Sequence, residues 1–504
     1  MSDIYVPGIR SRFNSEQIIE DLMRLERVPR DRAENNIERF EAERTYWRDL
    51  GTRTSALGES ARHLFSFQNP FSDRTVQSSD SLVMTGTATR EALEQDLSFT
   101  VVQMAQADRF LSSPLNEDFM VEAGTYGFSV GDNEISFEFR GGTLRDFTEA
   151  LNRRGRDLVH ASLIAVRSGT RSLLIESRVS GEENKLGFTG DSLALGQASG
   201  MIELIYDEDA ESQTAMASFR PLNPVSTARD SIISMEGIEI YRPTNEIEDL
   251  MPGVTISLRS VSDRPVRLTV EADREAAKDA IISFVGNYNR LMAELNILTR
   301  NDPRILDEIT YFSREERDEY RQRLGAFSGD SSLLNMRDNL MRIVSTQYPT
   351  SEERSLSLLS HIGVSTDVRR SGAGGGHDAS RLRGYLDIDE RALDAALASN
   401  LPAIRQLFAS STTGDILPDT GVAWATNNLV RPFSESGGLV ASRTGNIGMR
   451  IDQENRRIET LDRQLAAREA DLRRQYSMME GAFQRMEQMN SSFDRFQNQN
   501  NMNR

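Results

Sequence analysis

The chain has 504 residues, with 59 basic and 77 acidic side chains and a formal net charge of −18. That balance removes the basic face that nucleic-acid phosphates require. Cysteine is absent, which excludes disulfides, thiolate nucleophiles and cysteine-ligated metal centres together.

The N-terminal residues 1–14 hold no apolar stretch behind a basic start, so no secretory signal peptide is expected there. No run in the chain approaches the ~18 apolar residues of a membrane span, and membrane insertion is not expected. Ile18, Ile19, Leu22, Met23 and Leu25 make a short amphipathic set, with Asn14 or Ser15 as its cap. Pro29 is expected to open a second helix at its first turn. Beyond it, Phe40, Trp47, Thr54 and Ala61 recur every seven residues, and Leu50, Leu57 and Leu64 form a parallel column.

From Arg74 to Thr269 the apolar period changes to two. Segments beginning at Leu97, Tyr126, Ile135 and Val266 alternate, each bounded by Gly, Asn, Asp or Pro, as half-buried antiparallel strands do. Gly131 to Glu134 reads as a hairpin turn. Leu144, Phe147 and Leu151 at helical spacing add a helix, predicting a β-β-α-β unit around 125–177. The order helix, strands, helix describes an insertion whose linkers lie near Ser72 and Ala272.

A third helix is predicted from Asp273 to Leu298, capped by Asp273, with Ile281, Tyr288 and Leu295 in one column. Segment 325–440 mixes short helices at 333–343, 390–398 and 402–408 with loops, and 371–378 is a linker or hairpin by composition. At the C-terminal end, Ile451, Ile458, Leu465, Leu472, Met479, Met486 and Phe493 repeat at a strict interval of seven. Leu461, Tyr476 and Phe483 form a partial second column that Glu454 and Arg468 interrupt. A seven-residue repeat keeps one stripe facing a partner helix. Two such segments at opposite ends most simply pack on each other, burying stripes neither could bury alone. The competing reading makes each a surface helix of a separate domain.

The expected fold is therefore α+β and multidomain, with long terminal helices forming a coiled-coil or helical-bundle stalk and antiparallel β-rich insertion domains. Its divisions are a flexible helical segment at 1–38, a stalk helix at 39–72, a β-rich head at 73–272, a helical and mixed stalk domain at 273–445, and a coiled-coil helix at 446–504. The residues expected to bind partners or form the coiled coil are Phe40, Trp47, Leu50, Leu57, Leu64, Ile451, Ile458, Leu465, Leu472, Met479, Met486 and Phe493.

Catalytic signals are weak. His63, His160, His361 and His377 form no HExxH pair and no spacing that suggests metal ligands. The glycines at 372–376 lack the Lys-Ser/Thr of a phosphate loop, and Lys185 and Lys278 are the only lysines. Acidic clusters at 207–211 and 387–390 miss the calcium-loop template. The second reads as the cap and first turn of a helix starting at Glu390. No nucleophile with a base and orienter is recoverable, so neither catalysis nor a cofactor or metal is expected.

Several blocks carry a resemblance. They are Phe71 to Ala88 running on to Phe99 to Ala107, Gly142 to Asn152, Pro252 to Leu258, and Phe284-Val-Gly-Asn-Tyr-Asn289. Gly325 to Asp330, Ile362 to Ser365 and Gly384 to Glu390 continue the series. In this order, between terminal heptads, they resemble the flagellar filament-capping family, also called hook-associated protein 2. The segment Val6 to Asn14 departs from the Gly-rich opening usual in that family. The resemblance implies a β-domain plate with helical legs at the tip of a growing filament. It implies flagellin subunits and further copies of itself in a ring as partners, with hook–filament junction proteins and an export chaperone besides. It implies export by the flagellar route to a tip that is extracellular, or periplasmic where flagella are periplasmic. The alternative reading is another hook-associated protein or a secreted adhesin of the same helix-β-helix plan.

Overall fold

A computed structural model describes residues 15–206, 216–309, 312–352, 355–366, 383–414 and 417–502. Residues 1–14, the acidic 207–211 cluster, the 371–378 linker and His377 lie outside these ranges. The chain divides into two compact units, residues 71–273 and the sequence on either side of them.

Helix α1 spans Ser15–His63, about 73 Å at 1.5 Å per residue. Pro29 lies inside it, where the sequence predicts a helix start, and the helix also crosses the expected division at residue 38 without interruption. Proline removes one N–H and leaves the carbonyl four residues back without its helical partner. Here Leu25 and Pro29 are both exposed, so water can serve that carbonyl. Burial of Ile19 and Met23 before the proline and of Ala33 and Phe40 after it keeps both halves helical, as packing commonly overrides propensity.

The unit formed by residues 71–273 has two cores. Its first strand, Arg74–Ser78, pairs antiparallel with its last, Val266–Ala272, placing Arg74 opposite Ala272. A five-stranded sheet continues from these through Gln95–Gln103, Ser231–Met235 and Ile238–Arg242. A three-stranded sheet of Glu246–Met251, Val254–Leu258 and Met84–Ala88 shares its core, built on Met84, Phe99, Val101, Ile233, Ile256 and Leu268.

The second core gathers around the β-β-α-β unit. Met120–Val130 and Asn133–Thr143 form a hairpin turned at Gly131, whose φ of +56° suits the first position of a two-residue loop. Helix α2 (Leu144–Gly155) follows, closed by a capping box between Thr143 and Asp146. Hydrogen bonds from the Thr143 side chain and backbone hold the Asp146 carboxyl below its ordinary value. Strands Val159–Arg167 and Thr170–Ser177 pair beyond it, and α3 (Ser192–Ala198) closes the far side. Tyr126, Phe137, Phe139 and Phe147 cluster at the centre, with Tyr126 and Phe147 edge to face at 4.9 Å. Asp108 is buried here, accepting backbone hydrogen bonds from Leu186 and Ala228 at 2.7 Å each.

In the other unit, α4 (Arg274–Thr299) is the central helix. Every residue from Leu291 to Thr299 is buried, the mark of a helix enclosed on all sides. Short helices α5 (Arg304–Glu308), α6 (Arg314–Arg323) and α7 (Ser331–Ser345) follow. Element α8 (Glu390–Phe408) is two helices joined at Asn400, whose φ and ψ of −156° and 66° are not helical. That break matches the two predicted segments. Asn400 Oδ1 caps the second by accepting from the Ala403 N–H at 3.1 Å. Asp389 caps the first, as the acidic 387–390 cluster predicts. Helices α5, α6 and α9 (Val422–Ser434) go unpredicted: α5 has five residues, α6 is almost wholly charged, and the buried face of α9 includes the polar Thr426 and Asn427, which interrupt its apolar period.

Helix α10 runs from Leu439 to Met502, about 96 Å long. It starts ahead of the expected 446 boundary, directly after Gly437, at φ +84°, and Gly438 end the preceding turn, and it runs through Gly445 without interruption. Similarly α1 stops at His63 rather than 72, where the chain turns through Leu64–Asn69 toward Pro70.

Candidate functional site

Helices α1 and α10 pair antiparallel over most of α1. Trp47 lies under the Arg443 guanidinium at 5.5 Å and Phe40 under Arg450 at 5.9 Å. Farther out, Asn36 donates to Glu454 at 3.2 Å and Arg30 to Asp462 at 2.9 Å. Arg468 meets Glu26 at 3.6 Å, and Ser15 donates to Glu480. Each step toward the start of α1 is thus matched by a step toward the end of α10.

The predicted stripe residues divide along this pair. Phe40, Trp47, Leu50, Leu57 and Leu64 are buried, at 9% exposure or less. On α10, Ile451 and Leu472 are buried, while Ile458 and Leu465 are half-buried. Met479 and Met486 are exposed, Met486 to 56%. Phe493 lies in the same helix, but its side chain is outside the described residues. Close approach on the buried half has a visible cause. A Cβ on Gly51 would stand 2.9 Å from Val440, and one on Gly58 would stand 3.3 Å from Val430.

The distal half carries apolar surface instead. Ile19, Met23 and Leu472 make a small core with Leu465 and Tyr476 at its edge. Beside it Ile18, Leu22, Leu25 and Val28 of α1 are exposed. Met478, Met479, Phe483, Met486 and Met489 of α10 are exposed as well. In each helix three of these stand at i, i+4 and i+7, so they form a stripe rather than scattered positions. Methionine is unbranched and polarizable, which lets one surface fit several partner contours.

One constellation escaped sequence reasoning. Glu294 of α4 is buried with Arg323 at 3.6 Å and Arg53 at 3.8 Å. Arg323 also donates to Asp49 at 2.5 Å and to Glu319 at 2.6 Å. Burial pushes the Glu294 carboxyl up to about 7, outweighing the two arginines that pull it down. Burial disfavours the Arg323 cation, yet the hydrogen bonds to Asp49 and Glu319 prevail and raise it. A lone acid within the apolar run Leu291 to Leu298 was the available signal. Its partners stand far away in sequence.

Among the described residues no group of His, Cys, Asp and Glu could hold a metal ion, and no helix is long and apolar enough to cross a membrane. Asp387 is exposed and accepts a hydrogen bond from the Ile388 N–H at 2.9 Å.

Comparison with known proteins bears on the whole arrangement. Family models described as flagellar hook-associated protein 2 N-terminus and C-terminus match residues 11–108 and 228–488. A flagellar hook-associated protein 2 of Treponema maltophilum is 29% identical, covering 92% of this chain and 94% of its own. One of Treponema pallidum is 26% identical, covering 90% of this chain and 93% of its own. Among solved structures, the D1-D2-D3 domains of the flagellar cap protein FliD from Escherichia coli share the fold. They give a TM-score of 0.53 at 20% identity over 80% of this chain and 99% of that one. The C-terminal family model alone covers more than half of the 504 residues, and this chain belongs to the flagellar hook-associated protein 2 family.

Proposed function

We propose that this protein caps the distal end of the bacterial flagellar filament, retaining exported flagellin and promoting its polymerisation there. Family membership supports the role, and the observation that carries it is the exposed Met479–Phe483–Met486 stripe that flanks the Ser15–Glu480 contact. A paired stalk whose proximal half is closed and whose distal half offers apolar surface is suited to dock helices in a groove. On this reading the partners are flagellin subunits and further copies of the chain in a ring, with junction proteins and an export chaperone handling it on the way. The protein acts outside the cytoplasm at the filament tip, after export by the flagellar route. No bond is made or broken; the cap works by binding and guidance.

The experiment is a deletion strain complemented with wild-type or Met486→Asp protein. Deletion releases flagellin monomer and shortens filaments, and the wild-type gene restores them. The aspartate variant folds but restores poorly. A deletion strain that still builds full filaments without leaking flagellin refutes the assignment.

A further inference from the structure

We propose that Met478, Met479, Met486 and Met489 form an oxidation site, at which a peroxide-class oxidant converts thioethers to sulfoxides and switches off the docking of partner helices. The inference rests on the capping function proposed above, because it concerns the same stripe of α10.

The first support is the inventory of the chain. It has 18 methionines and no cysteine. A thiolate would compete for a two-electron oxidant, and in its absence the exposed thioethers are the readiest reductants on the surface.

The second is where those thioethers stand. Among the described residues six methionines are exposed, and four of the six lie between 478 and 489. Met478 is exposed to 60%, Met479 to 38%, Met486 to 56% and Met489 to 67%. At 3.6 residues per turn the four side chains leave α10 within an arc of about 100° and over about 17 Å of its length. They make one patch. By contrast Met84, Met201 and Met292 are fully buried, and Met23 sits in the small core with Leu472.

The third is how much of the stripe is sulfur. Beyond Tyr476, Phe483 is the other large apolar side chain that α10 exposes among the described residues. Leucine, isoleucine and valine, which resist such oxidants, are absent from 473–502. The apolar character of the stripe is therefore carried by atoms that a single oxygen makes polar.

The reaction balances with hydrogen peroxide alone. A sulfur lone pair takes one peroxide oxygen, the S–O bond forms as the O–O bond breaks, and the second oxygen leaves as water with both protons. Sulfur is oxidised by two electrons and the peroxide is reduced by two. A polar, chiral sulfoxide replaces a flexible apolar side chain. Its oxygen must be desolvated whenever a partner helix covers it, and four such groups on one face oppose docking together. Ile19, Met23 and Leu472, which hold the neighbouring part of α10 to α1, are buried, so the stalk keeps its fold while the stripe loses its function.

The test treats the full chain with hydrogen peroxide at neutral pH and maps the added oxygens by peptide mass spectrometry. Met478, Met479, Met486 and Met489 should gain oxygen roughly tenfold faster than Met84, Met201 and Met292, with the helical circular-dichroism signal unchanged. Capping is read as flagellin polymerised at filament ends, each sample against its own untreated control. Wild-type capping should fall by roughly tenfold once the four are oxidised, and a pair of methionine sulfoxide reductases, one per sulfur epimer, should restore it. The combined variant Met478→Leu, Met479→Leu, Met486→Leu, Met489→Leu should lose nothing further on treatment. Capping that survives full oxidation of the four overturns the proposal. So does a loss that persists after their reduction, an equal loss in the leucine variant, or oxidation no faster than that of the buried methionines. An untreated wild type that caps nothing refutes the capping function instead, and the mapping alone then upholds or overturns the oxidation site.

Discussion

The indole of Trp47 stacks on the ring of Phe327, with centroids 4.8 Å apart and planes 26° from parallel. The Arg443 guanidinium lies over the same indole at 5.5 Å. One side chain of α1 therefore touches both α10 and the loop after α6. Trp47→Ala should cost about 3–5 kcal/mol, read as a lowered urea midpoint of the helical circular-dichroism signal. A loss below about 1 kcal/mol would show the sandwich to be incidental.

Position along α10 should decide what a charge does. Leu472 is buried at 6% exposure against Ile19 and Met23, so Leu472→Asp should destabilise by about 3 kcal/mol or more. Met486→Asp meets solvent and should change stability by less than about 0.5 kcal/mol. Thermal melts of the two variants side by side check this contrast. Equal melting points would contradict the contrast between the buried Leu472 and the exposed Met486 on one stripe.

Glycines in the helices should respond in opposite directions. A Cβ at Gly286 of α4 meets nothing within 4 Å, so Gly286→Ala should stabilise by about 0.5–1 kcal/mol through helix propensity. Gly51 faces Val440, a β-branched side chain with little freedom to yield. Gly51→Leu should force α1 and α10 apart and cost about 1–3 kcal/mol. Denaturant titration of both variants distinguishes the cases.

Asp108 offers a sharper test of hydrogen-bond chemistry. Its two oxygens each accept a backbone N–H, from Leu186 and Ala228. An asparagine amide presents one acceptor and one donor, so one N–H must face a donor. Asp108→Asn should therefore lose about 1–3 kcal/mol, comparable to Asp108→Ala, when melting of residues 71–273 is followed by hydrogen exchange. A silent asparagine variant would mean that water serves the displaced donor.

Legibility in the sequence followed the range of each interaction. The column Phe40, Trp47, Thr54, Ala61 is buried throughout and could be seen because a heptad is a local pattern. The strands beginning near Leu97, Tyr126, Ile135 and Val266 announced themselves by alternation, and the hairpin by Gly131. The persistence of α1 through Pro29 was hidden, since it depends on α10 residues more than 430 positions away, such as Asp462 bound to Arg30. Glu294 was hidden for the same reason: α1 and α6 supply its arginines. The heptad itself misled at its distal end. Met479 and Met486 keep the spacing of Leu472 yet are exposed, because a repeat records spacing alone and not which of its positions a partner covers.

The strands Arg74–Ser78 and Val266–Ala272 lie side by side, with Arg74 opposite Ala272, so the chain leaves residues 71–273 within about 5 Å of where it came in. A body whose two ends emerge together behaves as a cassette. Evolution can lengthen it, trim it or exchange it wholesale, and the polypeptide on either side need only keep two neighbouring attachment points.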